Sequence, residues 1–96
     1  METKYYIPLG QLCKYYQVEV SFFDELDDVG LIEIATIGEA PSLHEDAINR
    51  VEKMIRLHRE LDVNAEGIDV IFNLMDKVKM LQEQLNALQE RLKLYE

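Results

Sequence analysis

Residues 64–96, NAEGIDVIFNLMDKVKMLQEQLNALQERLKLYE, decide how the rest of the chain is read. Ile71, Leu74, Val78, Leu81, Leu85, Leu88, Leu92 and Tyr95 are separated by alternating steps of three and four, the spacing of a coiled-coil seam. Asn64 suits an N-cap, Gly67 is the only glycine and falls in the first turn, and no proline interrupts the run. The stretch therefore predicts one helix from Asn64 to Glu96. At a rise of about 1.5 Å per residue it is roughly 45 to 50 Å long, more than residues 1–63 can cover. It is expected to pack on a domain formed by residues 1–63 and then to pair with a second copy through Leu81, Leu85, Leu88, Leu92 and Tyr95, giving a homodimer. The flanking Lys77, Gln82, Gln84, Gln89 and Arg91 carry few opposite charges, so parallel and antiparallel pairing both stay open.

Going backwards from that helix, Asp62 to Asn64 is a short connector, and an amphipathic helix precedes it. The S-x-x-E spacing of Ser42 and Glu45 places its start at Ser42 or within two residues after it. The helix runs to about Leu61 with Ala47, Ile48, Val51, Met54, Ile55 and Leu61 as its apolar arc and Glu52, Lys53, Arg56, Arg59 and Glu60 opposite. Further upstream, Leu31 to Ile37 is a β-prone run and Gly38 to Pro41 a turn signal, so a return over Pro41 to Leu43 makes a small hairpin wing. Lys4 to Ile7, before Pro8, reads as an edge strand.

Between them lie two short helices. Leu9, Leu12, Cys13 and Tyr16 mark one face of the first, which ends near Gln17. Ser21 is placed to cap the second, with Asp24 in the capping-box position, and Gly30 ends it. Two short helices joined by three or four residues make a helix-turn-helix, whose second helix is the DNA reader in repressors. Here Phe22, Leu26 and Val29 face the core, while Asp24, Asp27 and Asp28 point away from it with Glu25 flanking. A would-be reading helix with four acids and no base repels phosphate.

The totals agree with one small folded domain. Ninety-six residues, 48% hydrophobic and 30% charged, can build one core, and a net charge of −9 disfavours nucleic acid and anionic membranes while favouring basic partners. The single cysteine, Cys13, allows no internal disulfide, and it sits on an apolar face as a small hydrophobe. His58 falls in an apolar arc and reads as a packed, hydrogen-bonded histidine. Neither His58 nor His44 has a second ligand at metal spacing. No apolar run is long enough to span a membrane and the first residues lack a signal-peptide core, so a cytoplasmic protein is expected. No Gly-rich phosphate loop, G-x-S-x-G, H-E-x-x-H or C-x-x-C occurs. No enzyme activity and no cofactor are expected.

The fold expected is thus mainly α: two short helices, a β-hairpin wing, a third helix and a long C-terminal helix. That order, with V-S-F-F-D-E-L-D-D-V-G-L-I at Val20 to Ile32, resembles the MerR-type winged helix-turn-helix. The run R-L-H-R-E-L from Arg56 to Leu61, then Gly67-Ile68, Leu74-Met75-Asp76 and L-Q-E-R-L from Leu88 to Leu92, resembles the chaperone-modulator family CbpM. The resemblance implies a non-catalytic regulator that binds the J-domain of a CbpA/DnaJ-like co-chaperone and limits its stimulation of the chaperone DnaK. Since a J-domain presents a basic helix, the acids Asp24, Glu25, Asp27, Asp28 and Glu33 are the candidate docking residues. A MerR-like DNA-binding transcription regulator is the alternative, because a fold does not dictate its function. A purely structural coiled-coil module is the third reading.

Overall fold

The computed structural model describes residues 5–95, so Lys4 and Glu96, the outer ends of the expected edge strand and terminal helix, lie outside the described residues. Strand β1 (Tyr6–Pro8) leads into helices α1 (Leu9–Tyr16) and α2 (Val20–Asp28). Strands β2 (Ala35–Ile37) and β3 (Ala40–His44) follow, then helices α3 (Ile48–Leu61) and α4 (Ala65–Lys93). This is a helical protein with a small antiparallel sheet and a long terminal helix, as the periodicities predict.

The wing has three strands in the order β1-β3-β2. Ile7 pairs with Leu43 and Thr36 with Pro41, so β3 is central and β1 is an edge strand, in agreement with the extended lead-in expected before Pro8. Pro41 is tolerated in the middle strand because β1 stops at the Pro8–Ser42 pair, leaving only β2 beside it. The expected turn over Gly38 to Pro41 is shorter in the structure. Gly38 and Glu39 alone make it, with φ of 56° and 67°, the backbone a primed hairpin turn requires.

The β-prone run Leu31 to Ile37 yields a strand only over its last three residues, for a definable reason. The Leu31 N–H donates to the Leu26 carbonyl at 2.9 Å and the Ile34 N–H donates to the Asp27 carboxylate at 3.3 Å. Donors committed to the end of α2 cannot also serve a ladder. Ile32 is buried from this loop, and Glu33, expected on the strand, lies in the loop instead.

One expected cap is corrected, and one expected helix start is met with a different capping residue. Ser21 lies inside α2, whose N-cap is Glu19 with no side-chain cap, and the Ser21 hydroxyl donates instead to Glu19 Oε2 at 3.4 Å. Ser42 is buried in β3 and donates to the Ala40 carbonyl at 3.2 Å. The helical turn begins two residues later, where Nδ1 of His44 accepts from the Asp46 N–H at 3.1 Å and a single 3-10 turn, Glu45–Ala47, leads into α3. In both cases a serine with capping chemistry was already engaged by its own element.

One core serves the described residues. Leu9 and Leu12 of α1, Phe22, Phe23 and Leu26 of α2, Leu43 of β3, Val51, Met54 and Ile55 of α3, and Ala65, Ile68 and Phe72 of α4 are buried together. Phe23, absent from the expected face of α2, has no exposure at all, because α2 is covered from two sides, by α1 and by the start of α4. Leu61, expected in the arc of α3, is 68% exposed: Asp62 takes a left-handed φ of 55° and turns the chain away, and Val63 packs against the core beyond it.

Asn64 caps α4 as expected, its Oδ1 accepting from the Gly67 N–H at 2.8 Å. Ala65, Ile68 and Phe72, spaced by three and four, are the residues that dock α4 on the core. Beyond them the helix leaves the body, which accounts for a long dimension of 60 Å against 36 and 21 Å.

Candidate protein-interaction surfaces

α1 and α2 are linked by Gln17 to Glu19, the short connection of a helix-turn-helix. Three contacts fix their angle to α3. The Tyr16 hydroxyl donates to Glu52 Oε2 at 2.6 Å, the Arg59 guanidinium donates to the Tyr16 carbonyl at the end of α1 at 2.8 Å, and the ring of His58 stacks on Phe22 with centroids 4.4 Å apart. Nδ1 of His58 also donates to the Val63 carbonyl at 3.0 Å, so this histidine is a packed structural residue. Cys13 is half-buried, and burial first, then the nearby Asp24 charge, push its thiol above the ordinary value, which keeps it protonated and unreactive.

The outer face of α2 carries Asp24, Glu25, Asp27 and Asp28, all exposed, with Glu33 exposed just after it, and α2 contains no basic residue. Their position on the helix matters. Asp27 and Asp28 sit at its C-terminal end, where the macrodipole is negative and each carboxylate costs about 0.3 to 1 kcal/mol. Asp27 is partly compensated by accepting from Ile34 N–H. Asp24, Glu25 and Asp28 make no side-chain hydrogen bond or ion pair among the described residues. The structure thus collects the five expected acids on and beside one helix, four of them unoccupied by structural duties.

The second surface is α4. Leu74, Val78, Leu81, Leu85, Leu88 and Leu92 are 48% to 64% exposed, and Tyr95, past the helix end, is 87% exposed. Among the described residues no other part of the chain covers this stripe. Ile71, at its beginning, is half-buried against the core, and the docking residues Ile68 and Phe72 lie around the helix from it. Periodicity exposed the seam in the sequence but missed this docking face, since only two turns carry it. Among the described residues there is no group of three or more side chains able to hold a metal, and no helix is long and apolar enough to cross a membrane.

With two short helices, a wing and a protruding helix in place, the family comparison is decisive: the family described as MerR HTH family regulatory protein matches residues 7–90. The chain belongs to that MerR family. No curated protein and no solved structure is a significant match. In this MerR-family chain the helix occupying the reading position of the helix-turn-helix is the acidic α2. The match spans the wing, α3 and most of α4, so it covers the α2 face and the α4 stripe as far as Leu88.

Proposed function

We propose that this chain is a non-catalytic regulator of the CbpM kind, whose acidic α2 face docks on the basic helix of the J-domain of a CbpA/DnaJ-like co-chaperone and so limits stimulation of DnaK. One observation carries the reading: the reading helix of a MerR-family fold presents Asp24, Glu25 and Asp28 to solvent without partners and without a single base. Phosphate contacts, which supply most non-specific DNA affinity, need the opposite charge, and no Arg or Lys of α2 can reach a guanine edge. Two of the acids also oppose the helix dipole, so their placement costs stability that binding a basic partner would offset. The resemblance of the α3 and α4 segments to CbpM supplies the identity of that partner, and the cytoplasm is where such a partner is met. The family description, regulatory protein, is compatible with this role and with the alternative of a DNA-binding transcription regulator.

The J-domain and a duplex DNA, titrated separately at low salt and at about 0.15 M salt, distinguish the two. The expected outcome is saturable J-domain binding, weakened by Asp24→Lys with Asp28→Lys, and no sequence-dependent DNA binding. Specific DNA binding at about 10 nM or tighter would establish the alternative. Unchanged J-domain affinity and salt dependence in the folded double variant would remove α2 from the docking surface.

A further inference from the structure

The cations of this acidic chain are not spread evenly. Lys53 and Arg56 lie on the outer side of α3, and between them and α4 a notch opens whose floor is Leu57, Ile71, Phe72 and Met75. No carboxylate lines it. Phe72 is buried in this lining, with the Arg50 guanidinium over its ring 4.9 Å from the centroid, while Met75 is 49% exposed. Lys53 has no ion pair among the described residues. Among the described residues Arg56 meets only Glu60, at 3.6 Å and with both side chains largely exposed, a pairing that a better-placed carboxylate can replace. The adjoining hollow shares Lys53 and sets Arg50 and Lys79 against Asp46 and Asp76, so the charge is mixed there and the notch itself is the part lined by cations without acids.

An apolar floor with cations along one rim suits an amphipathic helix laid in a groove, and an exposed methionine adapts to differing side chains. We propose that this notch is a second protein-docking site, whose occupant is an acidic amphipathic helix: its apolar side chains enter between Leu57, Ile71, Phe72 and Met75, and its carboxylates reach Lys53 and Arg56. The sign is opposite to that of the α2 face, so the two sites select different partners and the proposal does not depend on what α2 binds. At about 100° per residue, Met75 points roughly a quarter-turn and Phe72 nearly a half-turn away from the stripe of Leu74, Val78 and Leu81. A chain paired through that stripe therefore shares Ile71 and Met75 with the notch, while Lys53, Arg56, Leu57 and Phe72 stay outside the pairing surface.

The test uses the full chain, isotope-labelled, and two synthetic helical peptides of about four turns with leucines on one face, one bearing glutamates and the other lysines on the opposite face. The glutamate peptide is expected to move the amide signals of Lys53, Leu57, Phe72 and Met75. Lys53→Glu with Arg56→Glu, both exposed and checked by circular dichroism, is expected to lower its affinity by at least about tenfold without changing the oligomeric state. Equal affinity for that variant, equal binding of the lysine peptide at these residues, or shifts confined to Leu81 to Leu92 would each overturn the proposal. So would shifts at Leu57 and Phe72 that follow protein concentration without peptide, since they would assign the notch to a second copy of the chain.

Discussion

The hydroxyl of Tyr16 on α1 donates to Oε2 of Glu52 on α3 across 2.6 Å, tying the first helix of the helix-turn-helix to the helix beneath it. Burial, then this hydrogen bond and the Glu52 charge, hold the phenol pushed up to about 12. In the unfolded chain the same group titrates near 10. Between those values the folded state keeps a proton that the unfolded state has released, so this contribution is complete below about pH 10 and is lost as pH rises through about 12. Urea unfolding of wild type and Tyr16→Phe at stepped pH is expected to show a difference of about 1 kcal/mol at neutral pH that vanishes across that window. A difference independent of pH would mean that Glu52 is not the phenol's partner in solution.

The acids of α2 are expected to separate by role. Asp27→Ala removes the acceptor of the Ile34 N–H and should lower stability by about 1 kcal/mol. Asp28→Ala removes only an unfavourable charge at the end of the helix and should raise stability by about 0.3 to 1 kcal/mol. Chemical denaturation of the two variants checks the signs. Destabilisation by Asp28→Ala would show that this acid has a structural partner and is less available for docking.

At the start of α4, Asn64→Ala should cost about 1 kcal/mol through loss of the cap on Gly67 N–H. Gly67→Ala tests the same corner from the other side. Helix propensity alone scores that change as a gain of up to about 1 kcal/mol. A Cβ at Gly67, however, would lie 2.7 Å from Val63 Cγ1 and 3.2 Å from the capping oxygen of Asn64, and Val63 is itself packed on the core. The expected result is a lower melting temperature; a higher one would show that Val63 moves freely.

The terminal stripe leads to a prediction about assembly. Each leucine of the seam fully buried contributes about 1.5 to 3 kcal/mol, enough for several together to hold two chains at micromolar concentration. Sedimentation at tens of micromolar should find a dimer for wild type and a monomer for Leu85→Asp with Leu88→Asp. The monomeric variant should also lose helical circular dichroism, because a helix extending from the body with neither face covered is marginal in water. A monomeric wild type with full helicity would refute pairing through this stripe.

The sequence by itself determined the elements that rest on long or local patterns. The period of three and four from Ile71 to Tyr95 specified α4 and its exposed seam, and Asn64 specified its start. The alternation before Gly38 and the acids after Phe22 specified a wing and a charged helix face. These signals are local, because propensity, capping and side-chain direction are set within a turn or two of each residue. What only the tertiary structure decided is where competing uses of the same group were resolved. Ser42 and Ser21 have capping chemistry, but one is committed to a strand and the other to a helix interior. Leu31 and Ile34 have strand propensity, yet their N–H groups go to α2. Phe23 and Ile68 became core residues only because α1, α2 and α4 meet around them, and the notch at Lys53 and Arg56 exists only because α4 crosses α3 there. A hydrogen bond can be spent once and a surface covered once, and which neighbour claims it depends on contacts far apart in the chain.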